Sequence, residues 1–239
     1  LPPVYDRAAL QLSEREKDDL RSKKPSYWRF KLNDEVIRWN DLILGDQSIN
    51  PSSVSDPVLI KADGQYLYTL ASVVDDIDYA ITDIIRGSDH VTNTAVQIQI
   101  FEALNSTIPT FGHHPFLTDQ KGKGFGKRIG SLSIENLQTE GYENITILNY
   151  LINIGSSEDI KADTILDNIL ENFDIKNISN SSAKFSDTVL KSLNSDVLKN
   201  YNFEQVQKKI KIENEKINLK KLWTFSQNNI TFLDDINNW

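Results

Sequence analysis

"ITDIIRGSDHVTNTAVQIQIFEALNSTIPTFGHHPFL" (residues 81–117) is the stretch whose reading decides the fold. "ITDIIRG" (81–87) is a short β-branched run that ends on a glycine, a strand signature. "HVTNTAVQIQIFEALN" (90–105) repeats apolar residues at helical spacing, with Val96, Ile100, Ala103 and Leu104 on one expected face. "IPTFGHHPFL" (108–117) reads as a second strand. A glycine-rich segment, "QKGKGFGKRIGSLSIENL" (120–137), follows. Strand, helix, strand and then a glycine-rich loop is the order of a nucleotide-type parallel sheet, so the expected class is α/β.

Upstream, "LASVVDDIDYA" (70–80) suits a helix. "YWRFKL" (27–32) and "EVIRWNDLIL" (35–44) are strand-like, with Asn33-Asp34 as a tight-turn signal between them. Asp63-Gly64 inside "VLIKADGQYLYTL" reads as a hairpin turn. Downstream of residue 133 the pattern is helical. Ile145, Leu148, Leu151 and Ile152 mark one helix, which Gly155 closes, and Ile165, Leu166, Ile169, Leu170 and Phe173 mark another. "KNISNSSAK" (176–184) is a connector.

The totals exclude several classes. The chain has 239 residues and no cysteine, which removes disulfides, thiolate catalysis and cysteine zinc sites. No apolar run reaches the roughly 20 residues a membrane-spanning helix requires. The net charge of -8 argues against bulk nucleic-acid binding, although a partner feels the local field and not the total. Methionine is absent and the first residue is Leu1, so part of a longer protein is expected.

Against that acidic background the 120–137 window stands out. It holds four of the ten glycines (Gly122, Gly124, Gly126, Gly130) and the cations Lys121, Lys123, Lys127 and Arg128. Glycines let backbone N–H groups converge on an anion, and lysines add mobile positive charge, the physical needs of a polyphosphate site. By composition alone such a segment also fits a solvated turn. Arg86 ends a strand where open parallel sheets bind ligands, and a guanidinium grips a planar carboxylate with two parallel hydrogen bonds. The alternative is a structural ion pair with Asp75, Asp76, Asp78, Asp83 or Asp89.

"YLYTLASVVDDIDYAITDIIRGSDHVTNTAVQIQIFEAL" (66–104) and "FGHHPFLTDQKGKGFGKRIGSLSIENLQTEGY" (111–142) closely resemble bacterial glutamyl-tRNA synthetase of the alphaproteobacterial type. The likeness extends to "PPVYDRAAL", "YWRFKLNDEVIRWNDLILGDQS" and "KKLWTFSQNNITFLDDINNW", and is weakest between about 155 and 215. It implies the second half of a class I synthetase nucleotide-binding, Rossmann-like fold. By the resemblance, residues 1–56 would end the tRNA acceptor-binding insertion. Residues 57–119 would be the second half of the catalytic domain, and 120–239 the mobile KMSKS-type loop with a mainly helical stem-contact region.

"FGKR" (125–128) matches the family's second signature, so the resemblance makes Lys127 the catalytic lysine. It makes Gly124, Phe125, Gly126, Lys127 and Arg128 the ATP-binding stretch. Gly126 replaces the usual serine, and Phe125 is expected to pack at the loop's base. Tyr68 and Arg86 match glutamate-binding positions, with Arg86 holding the side-chain carboxylate. Ser72 stands where many relatives have asparagine and His90 where many have tryptophan. His113 matches a family histidine and is expected to be structural; His114 is expected to be an exposed bystander.

The resemblance implies a glutamate–tRNA ligase acting through a glutamyl-adenylate in the cytoplasm. ATP arrives with Mg2+; zinc is not expected here and no residue is assigned to a metal. Its partners would be tRNA(Glu), with tRNA(Gln) the further partner of a non-discriminating form, and no membrane. The family's first signature, of the HIGH kind, does not occur among these residues; the three histidines are His90, His113 and His114. Residues 1–239 alone are therefore expected to be inactive. A second class of reading is a non-catalytic tRNA-binding paralogue, using the lysines of "QKKIKIENEKINLKKL" (207–222): Lys208, Lys209, Lys211, Lys216, Lys220 and Lys221. Those lysines equally suit a solvated helix face.

Overall fold

The computed structural model describes residues 4–125, 133–156, 160–212 and 217–239. The chain is mixed α/β and divides into two compact units, one ending at His114 and the other beginning at Pro115.

The first unit contains α1 (Glu14–Lys23), β1 (Trp28–Arg29), β2 (Ile37–Asp41), β3 (Gly45–Ile49), β4 (Val58–Ile60), α2 (Tyr68–Asp78), β5 (Asp83–Gly87), α3 (Val91–Ala103) and β6 (Thr110–His114). Its main sheet has the order β3-β2-β6-β5. β5 and β6 are parallel and in register from Asp83↔Thr110 to Gly87↔His114; β2 joins β6 in parallel at Asp41↔Phe111, and β3 is an antiparallel edge. The strand–helix–strand unit read from residues 81–117 is thus present. A parallel β5–β6 pair needs the crossover that α3 provides.

The Asn33-Asp34 turn does not join the two runs it separates. β1 pairs with β4 and β2 pairs with β3. Asn33 is held elsewhere: its N–H donates to Gln99 Oε1 at 2.9 Å and its Oδ1 accepts from Gln99 Nε2 at 2.6 Å. That clamp ties the chain to α3. The Asp63-Gly64 turn does form, with the Gly64 N–H donating to the Lys61 carbonyl and Ile60 bridging Tyr66.

α3 is enclosed all round its middle: every residue from Thr94 to Phe101 is buried. The one-sided face expected from sequence is corrected accordingly, with Ala103 and Leu104 exposed at the helix end. A helix enclosed on all sides has no solvent face for periodicity to report. Leu32, Ile37, Val73, Ala95, Ile98, Phe101 and Phe111 are core residues around it.

Arg7 lashes the N-terminal segment to this unit. Its Nε and Nη2 donate to the two carboxylate oxygens of Asp56 at 2.8 and 2.9 Å. The Leu32 N–H donates to Asp56 Oδ1 at 3.0 Å. Burial pushes the Asp56 carboxyl up, but these donors and the charges of Arg7 and Arg29 outweigh it and hold the group below its ordinary value.

The second unit contains β7 (Leu117–Thr118), α4 (Ile134–Thr139), α5 (Asn144–Asn153), α6 (Leu166–Asn172), β8 (Ala183–Lys184), α7 (Asp187–Asn200), α8 (Phe203–Val206) and α9 (Leu219–Ser226). It is mainly helical, as the sequence suggests, but β8 lies inside the "KNISNSSAK" connector and pairs in parallel with β7. α5 buries Thr146, Ile147, Asn149 and Tyr150, whereas Leu148 and Leu151 are exposed, so the expected apolar face is displaced. Tyr150 causes the displacement: its ring packs edge-on to Phe185 and its hydroxyl accepts from the Ser186 N–H at 2.6 Å. Of the α6 stripe only Ile169 is buried. Gly155 takes φ +80° just past α5, the left-handed conformation a helix-ending glycine supplies.

The lysine-rich segment is not one helix. α9 starts only at Leu219, and residues 213–216, with Lys216, lie outside the described residues. Lys209 is not free: it pairs with Glu143 and lies 5.3 Å from the Tyr201 ring centroid.

Candidate active site

β5 carries Arg86 to the C-terminal end of the sheet, next to His113 on β6, its register partner. The guanidinium is half-buried and meets four neutral acceptors. Nη2 donates to Thr94 Oγ1 and to Gln97 Oε1, each at 2.6 Å. Nη1 donates to the Tyr68 hydroxyl at 3.1 Å, and Nε donates to His113 Nε2 at 3.4 Å. The Phe111 ring lies beneath, 5.6 Å from the guanidinium carbon. Among the described residues Arg86 forms no ion pair within 4 Å, so the structural pairing with Asp75, Asp76, Asp78, Asp83 or Asp89 does not occur.

The other expected glutamate contacts gather on the same arginine. Gln97 Nε2 donates to Ser72 Oγ at 2.7 Å, which ties Ser72 on α2 to the Arg86 network through α3. Tyr68, 51% exposed at the start of α2, packs edge-on to His90 with ring centroids 5.7 Å apart. His90 Nδ1 contacts Asn93 Nδ2 at 3.1 Å; the amide donates, so the proton of a neutral ring sits on Nε2. Asp76 is near enough to feel Arg86. Burial nonetheless pushes its carboxyl up, against the pull of Arg86 and with the help of Asp75.

Behind the arginine lies a buried polar layer. His113 is fully buried, and its Nδ1 is bonded to Asp41 Oδ2. Asp41 Oδ1 accepts from the backbone N–H groups of Ile43, Leu44 and His113 at 3.1, 3.0 and 3.0 Å. Burial pushes the Asp41 carboxyl up, but the Leu44 N–H, the imidazole and the other two N–H groups outweigh it and hold the group below its ordinary value. Sequence reading missed Asp41, Thr94 and Gln97. The available signal was Thr94 and Gln97, two of the three polar residues in "TAVQIQIF", three apart and so on one face of the helix.

Just before the candidate ATP residues, the amides of 121–123 are turned inward. Asp119 organises residues 118–124 into a tight hairpin. Its Oδ1 accepts from the N–H groups of Lys121 and Lys123 at 2.9 and 2.8 Å, and its carbonyl accepts from the Gly122 N–H at 2.9 Å. Gly122 has φ +79°, and Thr118 bridges Gly124. Those three amides are therefore occupied and do not converge on an anion. Phe125 packs edge-on to Phe185, ring centroids 6.0 Å apart, among the core residues of the second unit. Gly126, Lys127 and Arg128 lie outside the described residues. Among the described residues no three His, Asp or Glu side chains form a metal-binding group, and no helix is long and apolar enough to cross a membrane.

Residues 2–192 match the family model of class I tRNA synthetases (E and Q), catalytic domain. The chain belongs to that family. This class I synthetase chain is 43% identical over 239 residues to glutamate–tRNA ligase 2 of Hyphomonas neptunium, covering all of this chain and 54% of the relative. It is 48% identical over 206 residues to glutamate–tRNA ligase 2 of a Jannaschia species, covering 86% of this chain and 46% of that one. A crystal structure of a glutamate tRNA ligase from Elizabethkingia meningosepticum, in complex with its amino acid, superposes with TM-score 0.80 at 27% identity. That match covers 96% of this chain and 51% of the other. The synthetase chain thus spans about half the length of the curated relatives it matches.

Proposed function

We propose that the protein containing this chain activates glutamate with ATP and joins it to tRNA through a glutamyl-adenylate, in the cytoplasm. The observation that carries this reading is Arg86: a half-buried cation oriented by four neutral acceptors, with no carboxylate among the described residues in contact. Among the described residues Nη1 meets one acceptor, the hydroxyl of the exposed Tyr68. A γ-carboxylate fits that pair, and a neutral amide offers the cation no charge to neutralise. In this reading Tyr68, Ser72, Arg86 and His90 bind glutamate. Gly124 to Arg128 bind ATP with its Mg2+, and Lys127 stabilises the charge that builds on the phosphates. tRNA(Glu) is the acceptor, with tRNA(Gln) a further one in a non-discriminating form.

The test is glutamate-dependent ATP–pyrophosphate exchange by the full-length protein. Exchange with glutamate and little with glutamine supports the reading; a protein that binds tRNA but shows no exchange with either amino acid refutes it. Residues 1–239 taken alone are proposed not to support exchange, because the first class I signature is not among them.

A further inference from the structure

Arg86 has a carboxylate one residue away, yet does not touch it. Asp41 reaches the arginine only through the His113 imidazole: Asp41 Oδ2 to Nδ1 on one side of the ring, Nε2 to Arg86 Nε on the other. We propose that Asp41 and His113 are a positioning pair for Arg86. They fix the guanidinium through a neutral ring nitrogen, so that its charge is left for an acidic ligand. The proposal rests on the reading of Arg86 as a carboxylate site and adds the device that keeps it available.

The protonation pattern follows from the donors. Asp41 Oδ1 accepts three backbone N–H groups, and Oδ2 also lies 3.4 Å from the Trp39 indole N–H. A carboxylate so surrounded is an acceptor, so His113 Nδ1 carries a proton and donates it. Nε2 then presents its lone pair. It faces Arg86 Nε at 3.4 Å and Thr94 Oγ1 at 2.9 Å, and both can donate to it. A second proton on the ring would set an N–H against the Arg86 N–H and a cation beside a cation, in a site closed to water. The neutral ring is the form that fits. Direct contact between Arg86 and Asp41 would instead neutralise the guanidinium and leave a carboxylate ligand little to gain. Among the described residues the charged groups bonded to this ring are Asp41 from β2 and Arg86 from β5.

The test uses the full-length protein with His113→Asn, which keeps a donor for Asp41 and removes the acceptor facing Arg86, and Asp41→Asn as a second variant. The expected result is a KM for glutamate raised about tenfold or more, with the KM for ATP within about twofold of wild type. Equal changes in both KM values would overturn the proposal. A readout independent of catalysis is the Arg86 Nε–H resonance in protein labelled with 15N-arginine. It should be protected from exchange in wild type and should shift in His113→Asn, which removes the ring nitrogen it faces. If wild type shows no glutamate-dependent exchange yet the resonance behaves so, the functional reading fails and the positioning pair stands. If the resonance is unprotected in wild type, the pair is refuted even where neither variant folds.

Discussion

Arg86 and His113 face each other across adjacent parallel strands, Nε to Nε2 at 3.4 Å, and the carboxylate of Asp41 lies on the far side of the ring. A cation held by neutral partners is a poor structural tie and a good receptor. Removing water from it has a cost that only an anionic ligand offsets in full.

Arg86→Gln in the full-length protein keeps a polar side chain and removes the charge. The expected outcome is a fall of about 100-fold or more in kcat/KM for glutamate, from the loss of the opposite charge and of its charge-assisted hydrogen bond to the ligand. Exchange with glutamine should change far less. Steady-state kinetics with both amino acids check this; a parallel loss for the two would show that Arg86 serves the fold and not the acid.

Lys127→Ala should separate chemistry from binding. A lysine that acts on charge developing at the phosphates leaves ground-state glutamate binding alone, so kcat should drop about 100-fold to 1,000-fold with the glutamate KM nearly constant. Pre-steady-state adenylate formation is the direct measurement.

Asp56→Ala should destabilise the first unit by about 2 kcal/mol, since it strands the Leu32 N–H and releases Arg7. The pH dependence has a definite sign. The Asp56 carboxyl titrates below its ordinary value in the folded protein, so its contribution is present above the unfolded pKa of about 4 and is lost as pH falls through the folded value. Urea midpoints should therefore differ between wild type and variant at neutral pH and converge in acid.

Gly155→Ala should weaken the second unit. The residue sits at φ +80°, and an added Cβ would lie 3.0 Å from the Ala183 Cβ. Backbone strain and crowding together should cost about 1–2 kcal/mol, visible as a lowered thermal midpoint, whereas Gly122→Ala, with open space around it, should show the strain alone.

The sequence by itself determined the β5–α3–β6 unit and the arginine at its strand end, and the family resemblance pointed to Tyr68, Ser72 and His90. These rest on local signals: β-branched runs, helical spacing, glycine stops, and motif wording that is contiguous in the chain. Only the tertiary structure decided what holds Arg86. Asp41, Arg86 and His113 stand 45 and 27 positions apart and become neighbours through strand register, a relation that no local period encodes. The same reason explains the turn at Asn33, which Gln99 claims from 66 residues away, and the lysines of 207–222, one of which Glu143 claims. A short-range pattern records the type of an element; which face is buried and which partner waits there are settled by long-range packing, where one buried carboxylate or amide outweighs a local preference.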